Sequence, residues 1–134
     1  MKFTKWIILL FLVISSGSAF AANGDFLSFN NDHRTISYKM LDAQSVTASS
    51  PWVDLRGLAL KSVDCDAIET GGKVEIMVKN DTAQPASGTD GSIAFTLQPL
   101  IPLTGTDGMP HRWYKLKKTQ GGTPAPTTCI LEAR

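Results

Sequence analysis

Histidine and cysteine are scarce in this chain of 134 residues, with two of each: His33 and His111, Cys65 and Cys129. Nucleophilic catalysis needs a serine or cysteine beside a positioned base, and two histidines leave few bases to choose from. No G-x-S-x-G segment accompanies them. The cysteines stand far apart rather than in a C-x-x-C spacing, which argues against a metal site. No apolar run reaches the roughly 18 residues that a membrane-spanning helix requires. Neither charge sign dominates, so the net charge gives no electrostatic case for nucleic acid. Helical periodicity is missing beyond the first 21 residues. Together these gaps point away from an enzyme, a cofactor protein, a nucleic-acid binder and a helical bundle.

The first 21 residues have a logic of their own. Lys2 and Lys5 precede an unbroken apolar run from Ile7 to Ile14, and Ala19-Phe20-Ala21 supplies a small-x-small cleavage site. These residues read as a signal peptide cut after Ala21, leaving 22–134 as one domain. Losing Lys2 and Lys5 turns the formal charge of +1 into −1. The mature chain is then exported to the periplasm, the extracellular space or a virion, with no stable membrane span after processing. Two cysteines suit that oxidising setting and allow one intrachain pairing, Cys65 with Cys129. Closing a loop of that length stabilises a fold by about 4 kcal/mol in chain-entropy terms; two buried free thiols are the alternative.

The clearest strand lies within Gly71 to Asp81, where Val74, Ile76 and Val78 alternate with Lys73, Glu75, Met77 and Lys79 between two turn signals. That alternation predicts one buried face and one wet face. Similar period-two patterns place strands at Phe26 to Asn30, at Ile36 to Met40, around Val53 and Leu55, and loosely over Leu58 to Ile68. Others fall at Ile93 to Leu97, Arg112 to Thr119 and Thr127 to Ala133. Leu41 to Ser50 is less regular, with Val46 a candidate strand residue. Asp81 to Gly91 and Thr104 to Pro110 read as polar surface loops. Pro99 and Pro102 confine Leu100-Ile101 to an edge or a connection. The sum is an all-β domain of about seven to nine short strands, each apolar on one side. Such strands need an opposing sheet, which predicts an antiparallel β-sandwich or jelly roll, with a closed barrel as the alternative.

Three groups of residues invite a chemical reading. Gly-Thr-Asp-Gly occurs at 88–91 and again at 105–108, and Asp90 and Asp107 with Asp64 or Asp66 have the oxygen chemistry of a calcium site. Ordinary turn chemistry explains both segments better. Twelve acidic residues scattered over loops and strand edges single out no pair for sugar hydrolysis. Asn80-Asp81-Thr82 is a glycosylation sequon, informative only in a host that glycosylates. The outward row Trp113, Lys115 and Lys117, joined by Trp52 and Arg56, is the most interesting: aromatics beside cations suit sugar stacking, partner docking or anionic ligands. The plainer reading is a solvated face with its tryptophans tucked under neighbouring loops.

The segments PWVDLRG, GGKVEIMVKNDTAQPA and HRWYKLKKTQGGTPAPTTCILEA resemble a pattern recurrent in small virion proteins of bacterial viruses: a WVDVRG-like strand, a VEIQVSND-like strand with an Ala/Pro loop, and a late aromatic-Arg strand. The similarity spans Ser50 to Ala133. It implies a decoration or accessory structural β-sandwich, an oligomer that works by packing against itself or other structural subunits rather than by catalysis. The leader departs from that pattern, since most tailed-phage structural proteins assemble in the cytoplasm. Either assembly takes place across or outside the inner membrane, or the domain serves as a secreted cellular protein. The competing expectation is a secreted module that binds a surface glycan.

Overall fold

A computed structural model describes residues 23–30, 35–55, 58, 60–99, 104–107 and 111–134. The expected leader, His33, Arg56 and Pro102 lie outside the described residues. All regular structure described is β-strand. The strands are β1 (Asp25–Asn30), β2 (Thr35–Gln44), β3 (Ala48–Ser49), β4 (Val53–Asp54), β5 (Leu60–Cys65), β6 (Lys73–Lys79), β7 (Ser92–Leu97), β8 (Thr104–Asp107), β9 (Trp113–Thr119) and β10 (Thr127–Ala133).

They form two antiparallel sheets. The first has the order β1-β2-β10-β5-β8; the second runs β3-β9-β6-β7, with β4 also paired to β9. Beyond β1 the pairing is nested. Strand β6 pairs with β7, β5 with β8, β3 and β4 with β9, and β2 with β10, so the chain folds back along its own path.

Alternation decides which side chains meet between the sheets. Val74, Ile76 and Val78 from β6, Tyr114 and Leu116 from β9, and Val53 and Leu55 join Met40, Leu41, Val63, Leu131 and Ala133 in one core. Each fully buried large aliphatic side chain stabilises by about 1.5–3 kcal/mol relative to exposure. Cys65 and Cys129 are directly opposite in β5 and β10, with Cα atoms 4.1 Å apart, and are disulfide-bonded. The bond links strands that already pair, so its effect lies in closing a loop across a sequence separation of 64. It is consistent with an oxidising, exported environment.

Several sequence expectations need correction. Ten strands are described rather than seven to nine, two of them only two residues long. Strand β2 continues through Leu41 to Gln44, where Asn23 Oδ1 accepts the Asp42 N–H at 2.8 Å. Val46 lies outside the strands and is exposed. Thr104 to Asp107, expected as loop, is β8, because Gly105 and Thr104 pair with Val63 and Asp64 of β5. The middle of the expected wet face of β6 is dry, with Glu75 and Met77 both buried, while Lys73 and Lys79 at its ends stay partly exposed. Gly24 shows how closely the segment before β1 is seated: at φ 81°, a Cβ there would sit 2.3 Å from Pro51 Cγ.

Candidate functional site

Period two sends Trp113, Lys115 and Lys117 out of β9 on the side opposite Tyr114 and Leu116, as the sequence indicated. Met77 of β6 lies opposite Lys115, and Trp52, just before β4, completes an apolar cluster with Met77 and Trp113. This is the outer face of the second sheet, yet Trp52, Trp113 and Lys115 are only 3%, 7% and 2% exposed. The segment 81–91, which leaves β6 and leads into β7, is what they hold.

Each outward side chain grips that segment. Trp113 Nε1–H donates to the Asp81 carbonyl at 2.9 Å, and Trp52 Nε1–H to the Ala86 carbonyl at 3.2 Å. Lys115 Nζ donates to the carbonyls of Ser87 (2.8 Å) and Thr89 (3.0 Å) and lies over the Trp52 ring, 5.6 Å from its centroid. Lys117 Nζ meets Asp90 Oδ2 at 2.7 Å, and Lys115 Nζ lies 3.6 Å from Asp90 Oδ1. The Lys117 hydrogen bond, against the cost of desolvation, holds the Asp90 carboxyl below its ordinary range, and Asp90 in turn raises the Lys117 ammonium. Within the loop, Thr89 closes a turn onto the Ala86 carbonyl through both its N–H and its hydroxyl. At the far end a Cβ on Gly91 would fall 2.4 Å from the Val78 carbonyl oxygen and 2.8 Å from Trp52 Cη2, so only glycine passes.

Whereas Arg56 lies outside the described residues, Arg112, which the sequence reading did not single out, also holds this segment. Its guanidinium donates to Asp54 Oδ2 through Nε (3.2 Å) and Nη2 (3.1 Å), and to the Thr82 carbonyl through Nη1 (2.6 Å), and stacks on the Trp113 ring at 5.2 Å. Asn80 Oδ1 accepts the Arg112 N–H at 3.0 Å, which turns its Nδ2 toward His111 Nδ1 at 3.3 Å. Both amide atoms of the sequon asparagine are therefore engaged. His111 also borders an open depression of about 430 Å³ lined by Lys79, Asn80, Asp90, Gly91 and Ser92.

A second buried lysine went unnoticed in the sequence. Lys118 shares the inward parity of Tyr114 and Leu116, and a lysine at a core-facing position is itself a signal. Its Nζ donates to the Gln44 carbonyl (2.6 Å), the Ala125 carbonyl (2.7 Å) and Thr127 Oγ1 (2.8 Å). Those three use up its N–H groups, so Glu69 Oε2 at 3.1 Å is an ion-pair partner without a hydrogen bond of its own. Glu69 Oε1 accepts the Gly121 N–H at 3.0 Å. Burial raises the Glu69 carboxyl, but the Gly121 N–H, its own backbone N–H and the Lys118 ammonium together outweigh burial and leave it below its ordinary value.

The structure thus brings Trp52, Trp113, Lys115 and Lys117 together beneath one loop. The bonded cysteines lie in the other sheet. What the cluster does physically is hold 81–91 in a fixed shape: Pro85 is buried while Asp81 to Gln84 and Ala86 to Asp90 face solvent. The candidate site is that outward loop surface rather than the tryptophan faces below it. No family model matches this chain, and no curated protein or solved structure does.

Proposed function

We propose that the chain is an exported, non-enzymatic assembly subunit, a jelly roll that works by surface contact in a virion-like or other symmetric structure. The observation that carries this is the nested pairing, β2 with β10 inward to β6 with β7, split between two sheets around one core. Nested pairing of this kind supports a jelly-roll reading, an architecture that recurs in viral capsid and lectin domains. The clamped 81–91 loop fits the same use, because a surface ordered before contact loses less conformational entropy on docking. The export half of the reading rests on the leader-like residues 1–21 and agrees with the disulfide.

A lectin role through the tryptophans is the weaker reading: sugar stacking needs an open ring face, and Trp52 and Trp113 are almost wholly covered. Electron microscopy and sedimentation of the chain lacking residues 1–21 test the proposal. Rings, filaments or particles are expected. A strictly monomeric species at high concentration overturns it, and a glycan-array signal abolished by Trp113→Ala would favour the lectin role instead.

A further inference from the structure

Cys65 and Cys129 form the last pair of the β5–β10 ladder, and the end of a ladder is where strands fray first. A disulfide placed there meets thiols whenever that end loosens. Here a clasp lies just beyond it. The Asp66 N–H donates to the Thr128 carbonyl at 3.0 Å, and the Thr128 N–H donates back to Asp66 Oδ1 at 2.7 Å, an oxygen that also takes the Ala67 N–H at 2.7 Å. Thr128 Oγ1 accepts the Ala43 N–H of β2 at 3.1 Å. Ala43 stands at φ 47°, a left-handed conformation that a residue with a side chain keeps only where its surroundings hold it. Thr128 therefore ties β10 to both of its neighbours, one residue before Cys129. The two cysteines share the inward parity of Val63 and Leu131, and Cys65 is 8% exposed against 0% for Cys129. Cys65 borders a depression of about 370 Å³ that Asp64, Asp66, Thr128 and Ile130 also line.

We propose that the Asp66–Thr128 clasp is a gate on thiol–disulfide exchange: once the sheets have closed, the bond is reduced only through openings of this strand end. Burial dictates the chemistry. Of the two cysteines only Cys65 touches the surface, so an external thiolate attacks Cys65 Sγ, forms a mixed disulfide there and sends the electron pair of the broken S–S bond to Cys129 Sγ. The leaving thiolate is created in the core, where apolar surroundings penalise its charge. It lies opposite Cys65, and it re-forms the original bond by expelling the incoming thiol unless the clasp has opened and water has entered. This device belongs to the folded chain itself and is independent of the assembly reading.

Reduction kinetics test it on the oxidised chain without residues 1–21, treated with dithiothreitol and read by alkylation and mass spectrometry. The native wild type should be reduced far more slowly than the urea-unfolded chain. Asp66→Ala removes the acceptor of two N–H groups and should speed native reduction roughly tenfold or more, beyond what its change in urea midpoint accounts for. Because Asp66 is exposed, water can serve the freed N–H groups and the fold should persist. Asp66→Asn keeps the acceptor and should stay slow. Thr128→Val, which loses the hydroxyl that holds Ala43, should fall between wild type and Asp66→Ala. Native reduction as fast as in the unfolded chain overturns the gate, and so does acceleration in Asp66→Ala or Thr128→Val no greater than lost global stability explains.

Discussion

Two lysines three residues apart on β9 are buried on opposite faces, and they are buried differently. Lys115 lies on the outer face, where its partners are carbonyls of a loop and the half-exposed Asp90. Lys118 lies at the end of the core, fully enclosed, against a carboxylate that is enclosed as well. The first is a clamp on a segment that can turn its carbonyls to water if released. The second is half of a buried ion pair, and removing one half strands the other. The same residue type in the same strand therefore serves loop order in one place and global stability in the other.

The largest expected effect follows from the enclosed pair. Lys118→Met should lower unfolding stability by about 3–5 kcal/mol, because Glu69 is left charged and buried without compensation. Urea denaturation measures this, and adding Glu69→Gln to the variant should recover part of the loss. If Lys118→Met unfolds like the wild type, the two lysines are equivalent and the contrast fails.

Acid titration sharpens the same contrast without a mutation. The Glu69 carboxyl is depressed in the fold, so its contribution is fully present above its unfolded value near 4.5 and disappears as pH falls through the lower native value. Stability should decline over that acidic window, and Glu69→Gln should flatten the decline. A midpoint-versus-pH series in urea reads both.

A smaller effect belongs to the outer lysine. Lys115→Met removes the contact with Trp52 and two charge-assisted hydrogen bonds, each worth about 1.5–3 kcal/mol if nothing relaxes. Water can satisfy the freed carbonyls of Ser87 and Thr89, so the global midpoint should move less than for Lys118→Met. Amide exchange over 81–91 should instead accelerate selectively. Uniform acceleration across both sheets would place Lys115 with Lys118 after all.

Much of this arrangement was written in residue parity. Val74, Ile76 and Val78 turned inward as their spacing required, as did Cys129, Leu131 and Ala133, and the outward row Trp113, Lys115 and Lys117 was correctly grouped. Parity tells which side a residue takes but not what later covers that side. The loop 81–91 has no apolar pattern, and its attachment runs through its carbonyls, which every residue type has. That is why the face of Met77 and Lys115 reads as wet and is dry. Strand β8 was hidden for a related reason: Thr-Gly-Thr-Asp is turn chemistry locally, and only its distant pairing with β5 makes it extended. Lys118 was legible, since its parity matches Tyr114 and Leu116, but a charge at a core position is easily assigned to a frayed strand end.

Collisional quenching of tryptophan fluorescence by acrylamide, on the native chain without residues 1–21, asks most directly whether the 81–91 segment roofs the outer face. Trp52 and Trp113 are then the remaining indoles. Both should be strongly shielded and blue-shifted in the native protein, and both should become accessible in Lys115→Met while the fold persists. Native quenching as efficient as in the urea-unfolded chain would mean that the indoles stand open to solvent and that the face is a free binding surface.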